Sequence, residues 1–202
     1  MICELNLPPP SKLLTNLVLI EFQKQKNNPM FEKTRKERQE FQNKNVTNII
    51  LKNFNDQAKT LGLQEYQKYF THPINLALVA FVNTKKITAC YPPHTDNFRG
   101  LALNYYLKVG GDNVITTYYK EKEESSYNGT HKKYEDVTID RQFYERDYNK
   151  WLAFDTRIFH SVENIETERI TLSINFGLKD KENIFTYNDF VLSYPSLINK
   201  YL

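Results

Sequence analysis

His94-Thr95-Asp96 places an imidazole and a carboxylate two residues apart. Alternate residues of an extended segment share a face, so both side chains can reach one cation. By itself the pair says little, since an imidazole near an acid arises readily in a chain with four histidines. A second imidazole strengthens it. His160 lies in the run Trp151 to Asn164, and nine residues later Arg169 opens Ile170-Thr171-Leu172-Ser173-Ile174-Asn175-Phe176. In an antiparallel hairpin those two positions can face one interior. Two histidines and one carboxylate on one face of a metal leave adjacent positions open for a chelating ligand and O2. A guanidinium nearby offers a bidentate grip on a carboxylate. That division suits a dianionic 2-oxoacid, whose keto-acid end chelates iron while its far carboxylate needs a fixed cation. The alternative for Arg169 is a structural ion pair at a strand start.

The stretch from Tyr91 to Phe176 resembles the 2-oxoglutarate- and Fe(II)-dependent oxygenase superfamily. Tyr91-Pro92-Pro93-His94-Thr95-Asp96 is similar to the Y-x-x-H-x-D of its prolyl hydroxylase branch. Phe154-Asp155, followed by His160 and Arg169, is similar to the distal half of small phage and bacterial members. These motifs span less than half the chain and come in the family's order. The resemblance implies a double-stranded β-helix core, with Fe(II) held by His94, Asp96 and His160 and 2-oxoglutarate held by Arg169. It also implies O2 as co-reactant, succinate and CO2 as products, and hydroxylation of a C–H bond of a prime substrate.

Departures from the family narrow the expectation. Animal-type prolyl 4-hydroxylases often carry Lys where Arg169 stands, so that activity is not implied. The nucleic-acid demethylase branch carries a second Arg six residues after the first, and here that position is Asn175. Halogenases lack the carboxylate ligand, whereas Asp96 is present, which favours hydroxylation. Tyr91, Asn104 and Tyr106 are candidates to hydrogen-bond the cosubstrate, and Arg99 is a candidate for substrate. His72 and His131 are read as non-ligands, Asp155 as a turn or strand-supporting acid, and Trp151 and Phe154 as core. A prolyl or peptide residue, a free amino acid and a small metabolite are all compatible as prime substrate. Two rivals stand beside this reading. One is a cupin-like metal enzyme that does not use 2-oxoglutarate, against which Arg169 discriminates. The other is a non-catalytic binding module on the same fold.

The elements that must position these residues are legible in the apolar pattern. The 202 residues suffice for one compact domain. Aromatics at 14% with only 6 Gly favour half-buried strands. After Pro73 come short runs of strand formers: Leu76–Val82, Ile87–Tyr91, Leu101–Leu107, Val114–Tyr119, Lys150–Phe154, Ile158–Val162 and Ile170–Phe176. Gly110-Gly111-Asp112-Asn113 marks a turn, and the polar stretch Lys120–Lys133 reads as an excursion between strands, a lid over the substrate being one open use for it. Before Pro73 the texture is helical: Ser11 caps a helix through Leu13 to Val18, and residues 48–69 show near-helical spacing with Gly62 near its end. The expected architecture is α+β, one domain over 1–202. Residues 1–72 are expected to be mainly helical, 73–180 a double-stranded β-helix of jelly-roll or cupin-like type, and 181–202 a C-terminal extension with a closing helix.

Charge excludes little. With 27 basic and 24 acidic residues the net charge is +3, too balanced to require nucleic acid. The charged run from 24 to 40 reads as a solvated face. No membrane-length apolar run and no secretory signal is apparent, and two cysteines fit a reducing compartment, so a cytoplasmic location is expected.

Overall fold

The computed structural model describes residues 1–26, 47–51, 56–82, 89–96, 99–122, 132, 134–144, 149–176 and 184–202, with backbone only for 25, 47–51, 81–82 and 89–92. In chain order the elements are β1 (Ile2–Leu5), α1 (Lys12–Lys26), β2 (Thr47–Leu51), α2 (Asp56–Tyr66), β3 (Ile74–Val82), β4 (Ala89–His94) and β5 (Leu101–Lys108). Then follow β6 (Ile115–Glu121), β7 (Val137–Tyr144), β8 (Trp151–Asp155), β9 (His160–Ile165), β10 (Arg169–Phe176), α3 (Tyr187–Ser193) and β11 (Ile198–Tyr201). The strands form two antiparallel sheets, one in the order β11-β1-β8-β5-β10-β3-β2, the other β4-β9-β6-β7. From β3 to β10 the chain passes repeatedly between the sheets. That path is the expected double-stranded β-helix, a jelly-roll core.

Strand alternation gives the larger sheet two unlike faces. Ile74, Leu76 and Leu78 of β3, Leu101 and Leu103 of β5, Trp151 of β8 and Ile170, Leu172 and Ile174 of β10 pack into one buried cluster with Leu14, Val18 and Phe22 of α1. The residues between them point the other way, into the space between the sheets. Burying the helix side supplies most of the stabilising apolar area, so the inner side is left available for polar groups. Trp151 is fully buried, with the Tyr66 ring edge-on at 4.9 Å and its Nε1 donating to Pro8 O at 2.9 Å.

Local chemistry explains the helices. Ser11 Oγ accepts from Leu14 N at 3.1 Å, the expected cap of α1, and the Ser11 hydroxyl also donates to Glu65 of α2. Gly62 sits inside α2 rather than at its end, because an added Cβ would lie 2.7 Å from Leu76 Cδ2. Thr186 and Asp189 form a capping box for α3, the expected closing helix.

Several expectations need correction. Residues 48–69 are not one helix: Thr47–Leu51 is a strand paired with β3, and the helix begins at Asp56. β-Branched Ile49 and Ile50 fit a sheet edge, and pairing along β3 overrides their helix-like spacing. The N- and C-terminal segments also contribute β1 and β11 to the larger sheet. β7 was not foreseen, since Val137–Tyr144 is highly polar; it is an exposed edge strand, where no alternation is imposed. Of the Lys120–Lys133 excursion, residues 123–131 with His131, and likewise most of the charged run 24–40, lie outside the described residues. Cys3 is buried and unbridged. Among the described residues no helix is long and apolar enough to cross a membrane.

Trp151→Ala should cost about 3–5 kcal/mol of unfolding free energy by emptying the centre of the helix-side core. Urea denaturation of the metal-free protein checks this, with a fall of under 1 kcal/mol contradicting the packing described.

Candidate metal centre

His94 ends β4 and His160 begins β9, and the two are register partners across the antiparallel pair. Side chains of directly opposed residues leave the sheet on the same face. Their ring centroids stand 4.4 Å apart. β4 is an edge strand, and its register with β9 shifts between Tyr91 and His94, so the ladder is irregular where Pro92-Pro93, which have no N–H to donate, stand. Two residues past β4, Asp96 N donates to Thr156 O at 2.9 Å. That anchor brings Asp96 to the same face, with Oδ1 3.9 Å from His94 Nε2.

One nitrogen or oxygen from each of His94, Asp96 and His160 can be chosen so that all lie within 4.8 Å of one another. Ligand atoms at adjacent octahedral positions around a small divalent ion stand about 3 Å apart, for bonds of ~2.1 Å. The donor set of two imidazoles and a carboxylate fits a divalent first-row metal. His160 Nδ1 lies 2.9 Å from Ile158 O, so that nitrogen carries the proton and donates, leaving the Nε2 lone pair for a metal.

The electrostatics keep both ligand types in their metal-binding forms. Burial pushes the Asp96 carboxyl up, but Arg99, His160 and His94 outweigh it and hold the group below its ordinary range. Burial pushes the His160 imidazole down, against the pull of Asp96. An ionised carboxylate and a neutral imidazole are what a metal requires.

Arg169 opens β10 and is 3% exposed. It reaches the same interior as His160, but not through the expected hairpin: β9 lies in the smaller sheet and β10 in the larger. The three residues between them turn the sheet corner, where Glu166 N and Thr167 N both donate to Gly110 O at 2.8 Å. Gly110 holds φ +105°, and an added Cβ would sit 3.0 Å from Arg169 Cβ. The turn expected at Gly110-Gly111 therefore also makes room for the base of the Arg169 side chain. Arg169 Nη1 donates to Val109 O at 3.0 Å, and its Cζ lies 4.3 Å over the Tyr106 ring. Tyr106 shares an apolar cluster with Tyr118, whose ring centroid is 6.0 Å from that of His160. An aromatic wall thus links the guanidinium to the imidazoles.

The other expected residues divide. Asn104 and Tyr106 share the inner face of β5, Tyr106 as the platform beneath Arg169, and Asn104 opposite Ser173. Tyr91 pairs with Val162 in β4, and its side chain lies outside the described residues. Arg99 Nε donates to Asp96 Oδ2 at 2.6 Å, beside the ligand set. His72 Nδ1 lies 2.7 Å from Tyr194 Oη in a separate aromatic cluster, so it is no ligand. Asp155 Oδ1 accepts from Arg157 N, a turn role as expected. Two features were missed: Tyr118, and the polar row Thr171, Ser173 and Asn175 that continues from Arg169 along the inner face of β10. Thr171 and Ser173 are buried, at 3% and 0% exposed. The signal for that row was present in strict alternation with Ile170, Leu172 and Ile174.

Residues 18–138 match the family described as Nucleocapsid protein N. That span takes in His94 and Asp96 and ends before His160 and Arg169. No curated protein matches. Among solved structures, Escherichia coli ycfD aligns at 10% identity over 78% of this chain and 40% of its own, with TM-score 0.41. An oxalate oxidase in complex with the substrate analogue glycolate aligns at 13% identity over 64% and 50%, with TM-score 0.31. A Pseudomonas putida prolyl-4-hydroxylase aligns at 13% identity over 67% and 72%, with TM-score 0.32. This chain spans half or less of the ycfD and oxalate oxidase chains.

His94→Ala or His160→Ala should abolish tight Mn(II) binding by the metal-free protein in calorimetry, because a two-ligand remnant loses most of the chelate advantage. Unchanged affinity in both variants would dismiss the triad. The lowered His160 also makes stability pH-dependent. The unfolded chain takes up a proton near pH ~6.5 that the native imidazole excludes. Stability of the metal-free protein should therefore be full above that value and fall as pH drops below it. His160→Ala should flatten this slope in urea midpoints taken between pH 7.5 and 5.

Proposed function

We propose that this chain, which belongs to the Nucleocapsid protein N family, is an Fe(II)- and 2-oxoglutarate-dependent oxygenase that hydroxylates a small-molecule or peptide substrate. The observation that carries this reading is the convergence of His94, Asp96 and His160 in an interior that also holds buried Arg169. A cupin-like metal enzyme without a 2-oxoacid needs the first feature but not the second.

When bound, Fe(II) supplies the redox chemistry that lets O2 react with 2-oxoglutarate, giving succinate and CO2 and one oxygen atom for a substrate C–H bond. The chain's own residues do the rest. His160, oriented by Ile158 O, and His94 opposite it present imidazole nitrogens to one point. Asp96 adds a negative oxygen that partly balances the ion's charge. Arg169, fixed by Val109 O and the Tyr106 ring, offers a planar fork for the far carboxylate of a dicarboxylate. Tyr106, Tyr118 and Phe154 exclude water from the path between these ends. Asn104 and Thr171 line the same inner face and suit the cosubstrate's polar atoms.

The family description favours a second reading, in which the chain packages nucleic acid. A net charge of +3 supplies little of the cation surplus that phosphate neutralisation uses, and packaging has no use for three convergent metal ligands. Salt-dependent binding of single-stranded RNA by a His94→Ala, His160→Ala protein would support that reading.

The test is an anaerobic titration of the Fe(II) protein with 2-oxoglutarate, following the charge-transfer absorbance of a chelated 2-oxoacid. Arg169→Ala should weaken 2-oxoglutarate by roughly ten- to over a hundredfold, as expected for losing a hydrogen bond to a charged group worth ~1.5–3 kcal/mol. Fe(II) affinity should be nearly unaffected, and Arg169→Lys should recover part of the loss. Absence of the band in the wild type would return the site to the cupin-like or binding-module readings.

A further inference from the structure

The two oxygens of Asp96 face different partners. Oδ1 is the one turned to His94, and Oδ2 accepts from Arg99 Nε at 2.6 Å. Arg99 is itself braced: Nη1 lies 3.4 Å from Ser173 Oγ and 3.3 Å from Asn175 Oδ1, both on the inner face of β10. Its carbonyl accepts from Thr156 Oγ1 at 2.8 Å, and the carbonyl of the same Thr156 holds Asp96 N. The segment that carries Asp96 and Arg99 is thus tied to the end of β8 and to β10. Asn175 stands in the strand that Arg169 opens, so one strand carries both Arg169 and the residues that brace Arg99.

A carboxylate with two unengaged oxygens can bind a cation through either one or through both. Two-oxygen binding would occupy a position that a chelating ligand or O2 requires. A charge-assisted hydrogen bond of near-ideal length engages Oδ2 and removes that choice.

We infer that Arg99 is a positioning residue for the metal centre, restricting Asp96 to one-oxygen ligation toward His94 and His160 while Ser173 and Asn175 brace its guanidinium. Substrate binding, the role expected for Arg99 from its place in the chain, is secondary to this one, because its fork is engaged by Asp96 and β10. The inference rests on the metal reading of the three ligands and is independent of whether 2-oxoglutarate is used.

The experiment is Mn(II) titration of the metal-free full chain without cosubstrate, followed by electron paramagnetic resonance. Arg99→Gln and Arg99→Ala should weaken Mn(II) by about ten- to a hundredfold, the usual range for partners that orient a metal ligand. Arg99→Lys should recover part of this, and Asn175→Ala should show a smaller loss. In an Asp96→Asn background Arg99→Gln should add almost nothing, because the two act as one unit. A merely structural Arg99 would lower the thermal midpoint without that coupling. Unchanged Mn(II) affinity in folded Arg99→Gln overturns the inference, as does an equal loss with and without Asp96. If Arg99→Ala does not fold, Arg99→Lys and Asn175→Ala carry the test. A wild type that binds no Mn(II) overturns the metal reading itself, a different result from a wild type that binds and an Arg99 variant that binds equally well.

Discussion

The register between β4 and β9 is the constraint on which the rest of the site depends. His94 opposes His160 directly, so the two imidazoles leave the sheet together. A slip by one residue would send one of them to the outer face, because side chains alternate along a strand. The register is held away from the histidines themselves. On the far side of β9, Tyr118 opposes His160 and Thr116 opposes Val162, while Asp96 N is tied to Thr156 O past the end of β4. On the outer face Tyr119 Oη donates to Glu163 at 2.6 Å and contacts Ser161 Oγ at 2.9 Å, locking β6 to β9.

A polar interior between two sheets is costly unless its groups are partnered. Here the cost is offset elsewhere, by a continuous apolar core on the opposite face of the larger sheet, under α1, α2 and α3. The two faces of β10 are unlike: Ile170, Leu172 and Ile174 pack into the helix-side core, and Arg169, Thr171, Ser173 and Asn175 line the inner face. The same division runs through β5, where Leu101 and Leu103 face the helices and Asn104 and Tyr106 face inward. A sandwich built only for stability would fill both faces with aliphatic side chains. The polar inner face is therefore a feature of the strand sequences.

Arg99 and Arg169 illustrate how one strand can serve two cations with different tasks. Arg169 belongs to β10 and is buried against Tyr106, suited to a partner brought into the interior. Arg99 comes from the segment after β4, is partly exposed, and is held to Asp96 and the far end of β10. Charge alone does not separate these roles; the neighbours do.

By itself the sequence determined the candidate group His94, Asp96 and His160, the guanidinium, the strand runs from β3 to β10 other than β7, the cap at Ser11 and the turn at Gly110-Gly111. These are local or periodic signals: residue type, spacing, alternation and backbone permissiveness are carried by neighbours in the chain. The tertiary structure alone decided that Ile49 and Ile50 extend along β3 and that polar Val137–Tyr144 completes an edge. It also decided that His160 and Arg169 stand in different sheets and not in one hairpin. Arg99 shows the difference most clearly. Its distance from Asp96 in the chain is visible in the sequence, but its contacts with Ser173 and Asn175 join residues more than seventy positions apart. Such contacts follow from how strands are ordered in a sheet, and that order is set by the packing of the whole chain and not by any short stretch of it.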